Sequence, residues 1–211
     1  FTYFIIINIT KMIEKKLRLK YLILDYTSAI ISWTLFFIFR KIYIEPYKFG
    51  HSIPIILTNK YFLGLLIIPF FWLFIYYLSG YYREVFRKSR FEEFITTLIS
   101  IIIGSIIIFF SILLDDVIGS YKNYYTSFTF LFISHFLITY IPRFILTNHI
   151  AHKIHKKELG LNTLIIGGNG KAEEIYKEIE NLPKGCGNKF IGFVCVNENS
   201  ESLNNNTNNY K

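Results

Sequence analysis

Gly167-Gly168-Asn169-Gly170-Lys171-Ala172, set between an apolar run and a helical pattern, has the most direct chemical meaning in this chain. Glycines after a strand let the backbone approach a phosphate, and the helix that follows offers free N–H groups and the positive end of its dipole. Gly167, Gly168, Gly170 and Lys171 are therefore the candidate binding residues, and a nucleotide or nucleotide sugar is the ligand that suits them. The full dinucleotide pattern asks for a third glycine, whereas Glu173 follows, and its ribose-binding acid falls on Glu198 beside a competing Asn197. A tight turn in a Rossmann-like scaffold that binds nothing accounts for the same residues.

Other reactive side chains are scattered. Asp25 and His135 stand in apolar stretches, where an ionisable group is costly and often marks a relay or substrate path. Asp25 also lies about one turn from a basic flank, so an interfacial place near Lys20 explains it as well; His135 can stay neutral and bond a neighbouring helix. His149, His152 and His155 recur every three residues, and successive members rotate by about 60° on a helix, so a solvated basic face fits better than a metal site. Asp115-Asp116 and Glu92-Glu93 are adjacent acids that diverge by about 100° and share no proton. Cys186 and Cys195 read as inert thiols. No catalytic residue and no metal ligand is assigned.

The elements that must carry these residues are unusual. The chain of 211 residues is 52% hydrophobic and only 18% charged, against about one quarter charged in ordinary soluble domains. Residues 1–160 hold 18 basic and 9 acidic side chains, and 161–211 hold 5 and 6. A uniformly basic nucleic-acid binder would not divide this way; positive charge that follows the apolar part points to a lipid bilayer. Four stretches, 21–39, 61–82, 94–114 and 123–142, can each cross a bilayer core, which takes roughly 20 helical residues. Thirteen Lys and Arg flank one side, Arg143 and Lys88 among them, and five the other (Arg40, Lys41, Lys48, Lys60, Lys122), which puts both termini in the cytoplasm. The only Met is Met12, so the true start is expected there.

The predicted organisation is an α-helical membrane domain followed by a partial α/β Rossmann-like domain. Residues 1–20 form a basic cytoplasmic segment, 21–146 the four-span domain, and 147–160 a basic helix ended by Gly160. Residues 161–198 form a truncated β-α-β unit: strand runs at 161–166 and 190–196 flank a helix over 171–182. One face of that helix carries Ala172, Ile175, Tyr176, Ile179 and Leu182. The continuously apolar strand runs suit a parallel sheet covered on both faces. Residues 199–211 read as an Asn-rich tail.

In order and spacing the chain resembles the N-terminal region of the large bacterial polyprenyl-phosphate glycosylphosphotransferases. The likeness rests on Leu24-Asp25-Tyr26 with Ser32-Trp33, Phe71-Trp72, and Tyr76-Tyr77-Leu78-Ser79-Gly80-Tyr81-Tyr82. It continues through Arg87-Lys88-Ser89-Arg90 with Glu92-Glu93, Asn162-Thr163-Leu164-Ile165-Ile166-Gly167-Gly168, and Ile191-Gly192-Phe193-Val194. It implies a bacterial inner-membrane protein of exopolysaccharide or O-antigen biosynthesis. There a separate catalytic domain transfers a sugar 1-phosphate from a nucleotide sugar to undecaprenyl phosphate. Nothing after Val196 matches that catalytic domain, so this chain alone is expected to be inactive, with a separate catalytic domain or a second copy of itself as partner. Membrane-bound nucleotide-sugar dehydratases share the front end, and a small four-span transport or structural protein is the third reading.

Reporter fusions test the orientation: those after Lys48 and Lys122 should report the periplasm and those after Lys88 and Lys157 the cytoplasm. A cytoplasmic signal from the Lys48 fusion would overturn it.

Overall fold

The computed structural model describes residues 2–46, 54, 56–83, 88–113, 121–166 and 170–194. Four long helices dominate: α1 (Thr2–Phe39), α2 (Asn59–Leu78), α3 (Arg90–Ile108) and α4 (Tyr121–His155). Short π-helical segments, Arg40–Ile44 and Phe109–Leu113, prolong α1 and α3. All four helices are long and apolar enough to cross a membrane, as their sequence predicts. After them come β1 (Leu161–Ile166), α5 (Gly170–Glu180) and β2 (Asn188–Val194). The chain divides into two compact units, Lys15–Asn148 and a second one made of Phe1–Glu14 with His149–Lys211.

Among lipid tails, burying apolar surface gives helices little reason to associate, so close packing and hydrogen bonds must hold the first unit together. Small residues provide the approach. A Cβ built on Gly104 would overlap the Trp72 ring, and one on Gly64 would overlap Trp33. Ser28, Ala29, Ser32, Ser100 and Ser105 are all buried. Pro142 stands inside α4 and has no N–H to give the Ile138 carbonyl one turn back. The Ser28 hydroxyl of α1 donates to that carbonyl at 3.2 Å, so the gap left by the proline becomes a bond between helices.

Two caps set the direction of the chain around α2 and α3. Gly80, at φ 72°, ends α2 in the left-handed region that favours glycine. The Gly80 N–H bonds the Tyr77 carbonyl at 3.1 Å and the Tyr81 N–H bonds the Tyr76 carbonyl at 3.1 Å, a Schellman closure. It turns Tyr81 and Tyr82 back into the helices, and both are buried. Ser89 caps α3, its hydroxyl accepting from the Glu92 N–H at 3.1 Å, with Glu92 and Glu93 in the first turn where the helix dipole favours acids.

In the second unit β1 and β2 pair in parallel, in register from Leu161 opposite Asn188 to Ile166 opposite Val194, with a shift between Thr163 and Leu164. The helix between them rests Tyr176 edge-on against Phe190 and Phe193, at 5.5 and 5.6 Å between ring centres. Glu173 and Lys177 pair at 2.8 Å on its outer side. Several details differ from the sequence reading, among them helix α5, which ends at Glu180 rather than at residue 182. Helix α4 stops at His155 and the left-handed residue is Lys157, at φ 61°, rather than Gly160. Strand β2 starts two residues earlier than expected. Coverage of both sheet faces is incomplete: the strand residues are half-buried, Ile166 and Val194 are exposed at the strand ends, and Ile175 and Leu182 on the helix side are exposed as well, because two strands are narrower than the helix face.

The Gly104 contact yields a direct test. Gly104→Ala forces the Trp72 ring to move and should cost about 1–3 kcal/mol, read as an earlier midpoint on unfolding in a denaturing detergent. An unchanged midpoint would show that the packing at this contact is loose.

Candidate functional site

Polar side chains from all four helices meet at one end of the first unit. Asp25 of α1 and Arg143 of α4 form an ion pair, Nε to Oδ1 at 2.7 Å, with both side chains wholly buried. The Tyr82 hydroxyl donates to the other Asp25 oxygen at 2.6 Å. Arg143 Nη1 donates to the Thr97 hydroxyl of α3 at 2.9 Å, and the guanidinium lies over the rings of Tyr81 and Tyr76, at 3.7 and 4.0 Å from their centres. Nη2 has no hydrogen-bond partner among the described residues; the two aromatic faces supply cation–π attraction around the same group.

Glu93 anchors a second branch. Its carboxylate accepts from the Tyr81 hydroxyl and, at 3.1 Å, from the Thr147 hydroxyl, which also bonds the Tyr21 hydroxyl at 2.8 Å. Lys88 closes this side, its ammonium 2.9 Å from the centre of the Tyr81 ring. Burial lowers the Lys88 pKa from 10.5 to about 8, with the Glu93 carboxylate pulling the other way. One turn deeper, the Tyr76 hydroxyl and His135 Nε2 are 2.9 Å apart, and the Trp72 ring stacks on the imidazole at 3.8 Å.

Several residues singled out by sequence thus come together, with roles that spacing did not disclose. Asp25 is 1% exposed and is bound to Arg143. Arg143, counted by sequence among the flanking cations, is 0% exposed inside the helix cluster. His135 does bond a neighbouring helix. Glu92 and Glu93 diverge as expected, Glu92 exposed and Glu93 buried. Thr97, Thr147 and Tyr21 were missed, because a lone hydroxyl in an apolar stretch carries no positional signal. Arg143 carried one signal: the helical pattern runs on past it to His155, so it stands within a helix rather than beyond its end.

The remaining candidates do not join this cluster. Gly167 and Gly168 lie outside the described residues, as do Asp115, Asp116, Cys195 and Glu198. Gly170 opens α5 with nothing within 4 Å of a built Cβ, and Lys171 is exposed. His149, His152 and His155 are exposed on the last turns of α4, and Cys186 is exposed. Among the described residues no three His, Cys, Asp or Glu are grouped to hold a metal. No family model, curated protein or solved structure matches the chain.

Chemically the cluster gathers donors and acceptors around two carboxylates and two cations; the carboxylate oxygens are all engaged, while Arg143 Nη2 and Lys88 Nζ have no hydrogen-bond partner among the described residues. Removing one partner of a buried ion pair leaves an uncompensated charge and costs about 3–5 kcal/mol, whereas replacing both with apolar groups is often neutral. Asp25→Leu and Arg143→Met should each lower the unfolding midpoint in detergent strongly, and the double variant should recover most of the loss. Additive losses would show that the two side chains act independently.

Proposed function

We propose that this chain is the membrane-anchoring and regulatory part of an initiating sugar-phosphate transferase of exopolysaccharide or O-antigen biosynthesis. The observation that supports it best is a convergence. Asp25, Tyr76, Tyr81, Tyr82, Lys88 and Glu93 all belong to the motifs that carry the resemblance to polyprenyl-phosphate glycosylphosphotransferases, and all join one buried network. Motifs scattered over some seventy residues have a common physical purpose if that purpose is to hold four helices in one arrangement. In this reading the spans sit in a bacterial inner membrane with both termini in the cytoplasm, and the β-α-β segment is Rossmann-like. The glycine turn at Gly167, Gly168, Gly170 and Lys171 would at most hold a phosphate of a nucleotide sugar. Transfer of the sugar phosphate to undecaprenyl phosphate falls to a separate catalytic domain.

The network supports anchoring over turnover because its acids are engaged. Both Asp25 oxygens and both Glu93 oxygens already accept hydrogen bonds within the protein. A catalytic acid or base needs a geometry open to substrate.

Two measurements test the reading. Membranes containing only this chain, given labelled nucleotide sugars and undecaprenyl phosphate, should form no lipid-linked sugar phosphate above a vector control. A catalytic domain of such a transferase, supplied on a second plasmid, should copurify with the chain. Product from the chain alone, or failure to copurify, would overturn the proposal.

A further inference from the structure

Two turns below the Asp25–Arg143 pair the same helices bring a second set of polar side chains to one level. Hydrogen bonds fix the register that places them there. Tyr21 meets Thr147 and Asp25 meets Arg143, so α1 and α4 run past each other in opposite directions, four residues against four. The Ser28 bond to the Ile138 carbonyl keeps that register one turn on. Continued by a further turn, it sets Ser32 level with His135. On α3, Glu93 meets Thr147 and Thr97 meets Arg143, so this helix also runs antiparallel to α4. Two turns past Thr97 stands Ser105, again level with His135. The remaining helix closes the layer: Trp72 of α2 stacks on His135 at 3.8 Å and lies against Gly104, the residue before Ser105.

Ser32, Ser105 and His135 are wholly buried. Ser32 Oγ, Ser105 Oγ and His135 Nδ1 have no hydrogen-bond partner among the described residues. A hydroxyl inside an apolar helix can turn to the carbonyl one turn back. Thr34 and Ser100 do so, at 2.9 and 2.7 Å, whereas Ser32 and Ser105 do not. His135 Nε2 is engaged with the Tyr76 hydroxyl at 2.9 Å. Its Nδ1 therefore needs a partner in either tautomer, as an N–H if that hydroxyl donates and as a lone pair if it accepts. A buried donor or acceptor left bare carries its full desolvation cost, and the hydrocarbon around membrane-spanning helices offers no relief. Three such atoms from three helices make a setting that retains water, since a buried water molecule takes about two to four polar partners.

We propose that this layer is a binding site for ordered water, held by Ser32, Ser105 and His135 inside the four-helix unit. The water bridges α1, α3 and α4 at a level where these three side chains do not bond one another. An apolar ligand would leave the three atoms bare, and a charged one would enter a layer without a carboxylate or a fixed cation. The inference does not depend on the transferase reading.

Hydroxyl-radical labelling by synchrotron X-rays, applied to the full chain in lipid nanodiscs, tests the proposal. Radicals made from a bound water oxidise the side chains beside it even where bulk solvent does not reach. Each yield is taken relative to the unfolded chain. His135 and Trp72 should be oxidised several times more than Leu131, which is as deeply buried and stands one turn further along α4. In Ser32→Ala/Ser105→Ala both yields should fall to the Leu131 level, because two of the three polar partners are gone. Unchanged helix content by circular dichroism and an unchanged elution volume report that the variant is folded. Should the double variant misfold, Ser105→Ala should by itself lower the His135 yield. Oxidation of His135 and Trp72 no greater than that of Leu131, or yields undiminished in the folded variants, would overturn the inference.

Discussion

A guanidinium cannot remain unsolvated among hydrocarbon helices, and most of the first unit is arranged around that constraint. Arg143 is wholly buried, so charge and hydrogen bonds must come from the protein. They come from α1 through Asp25, from α3 through Thr97, and from the end of α2 through the rings of Tyr76 and Tyr81. Each partner fixes which face of its helix points inward. One side chain thereby sets the rotation of three neighbours, although apolar packing alone would tolerate several settings.

A buried ion pair is weak evidence of net stability, since desolvation cancels much of the attraction. Its better-attested use is to specify one arrangement, and the surroundings fit that use here. The Schellman turn at Gly80 spends a left-handed glycine to bring Tyr81 and Tyr82 onto Glu93 and Asp25. The Ser28 hydroxyl bonds the carbonyl that Pro142 leaves unpaired, one residue before Arg143. Gly104 gives Trp72 the room to stack on His135. Loss of any one of these features would strain a network whose other members are already committed.

The four long helices were legible in the sequence because a span is a bulk property: some twenty apolar residues announce themselves whatever their neighbours. The parallel β-α-β order was legible for a similar reason, apolar runs alternating with a helix period. What escaped was pairing. Asp25 and Arg143 lie 118 residues apart, and each alone looked like a charge near a basic flank. Tyr81 and Tyr82 stand at the end of the second apolar stretch, and the positive φ of Gly80 is what turns them inward. The end of α4 was misplaced because Gly160 is the usual kind of terminator, whereas Lys157 adopts the left-handed conformation and sends its ammonium to the Glu180 carbonyl at 2.7 Å.

The two ends of the helices differ in how fully they are packed. At the Asp25–Arg143 end the carboxylate oxygens are occupied and the aromatic faces are covered, so a ligand could enter only by breaking charged hydrogen bonds in a medium that offers no replacement. At the Trp33–Phe71 end the residues line open space, and the inner wall is apolar. The ion pair and its hydrogen bonds hold the register of the helices at one end, so space left at the other end does not unsettle their order.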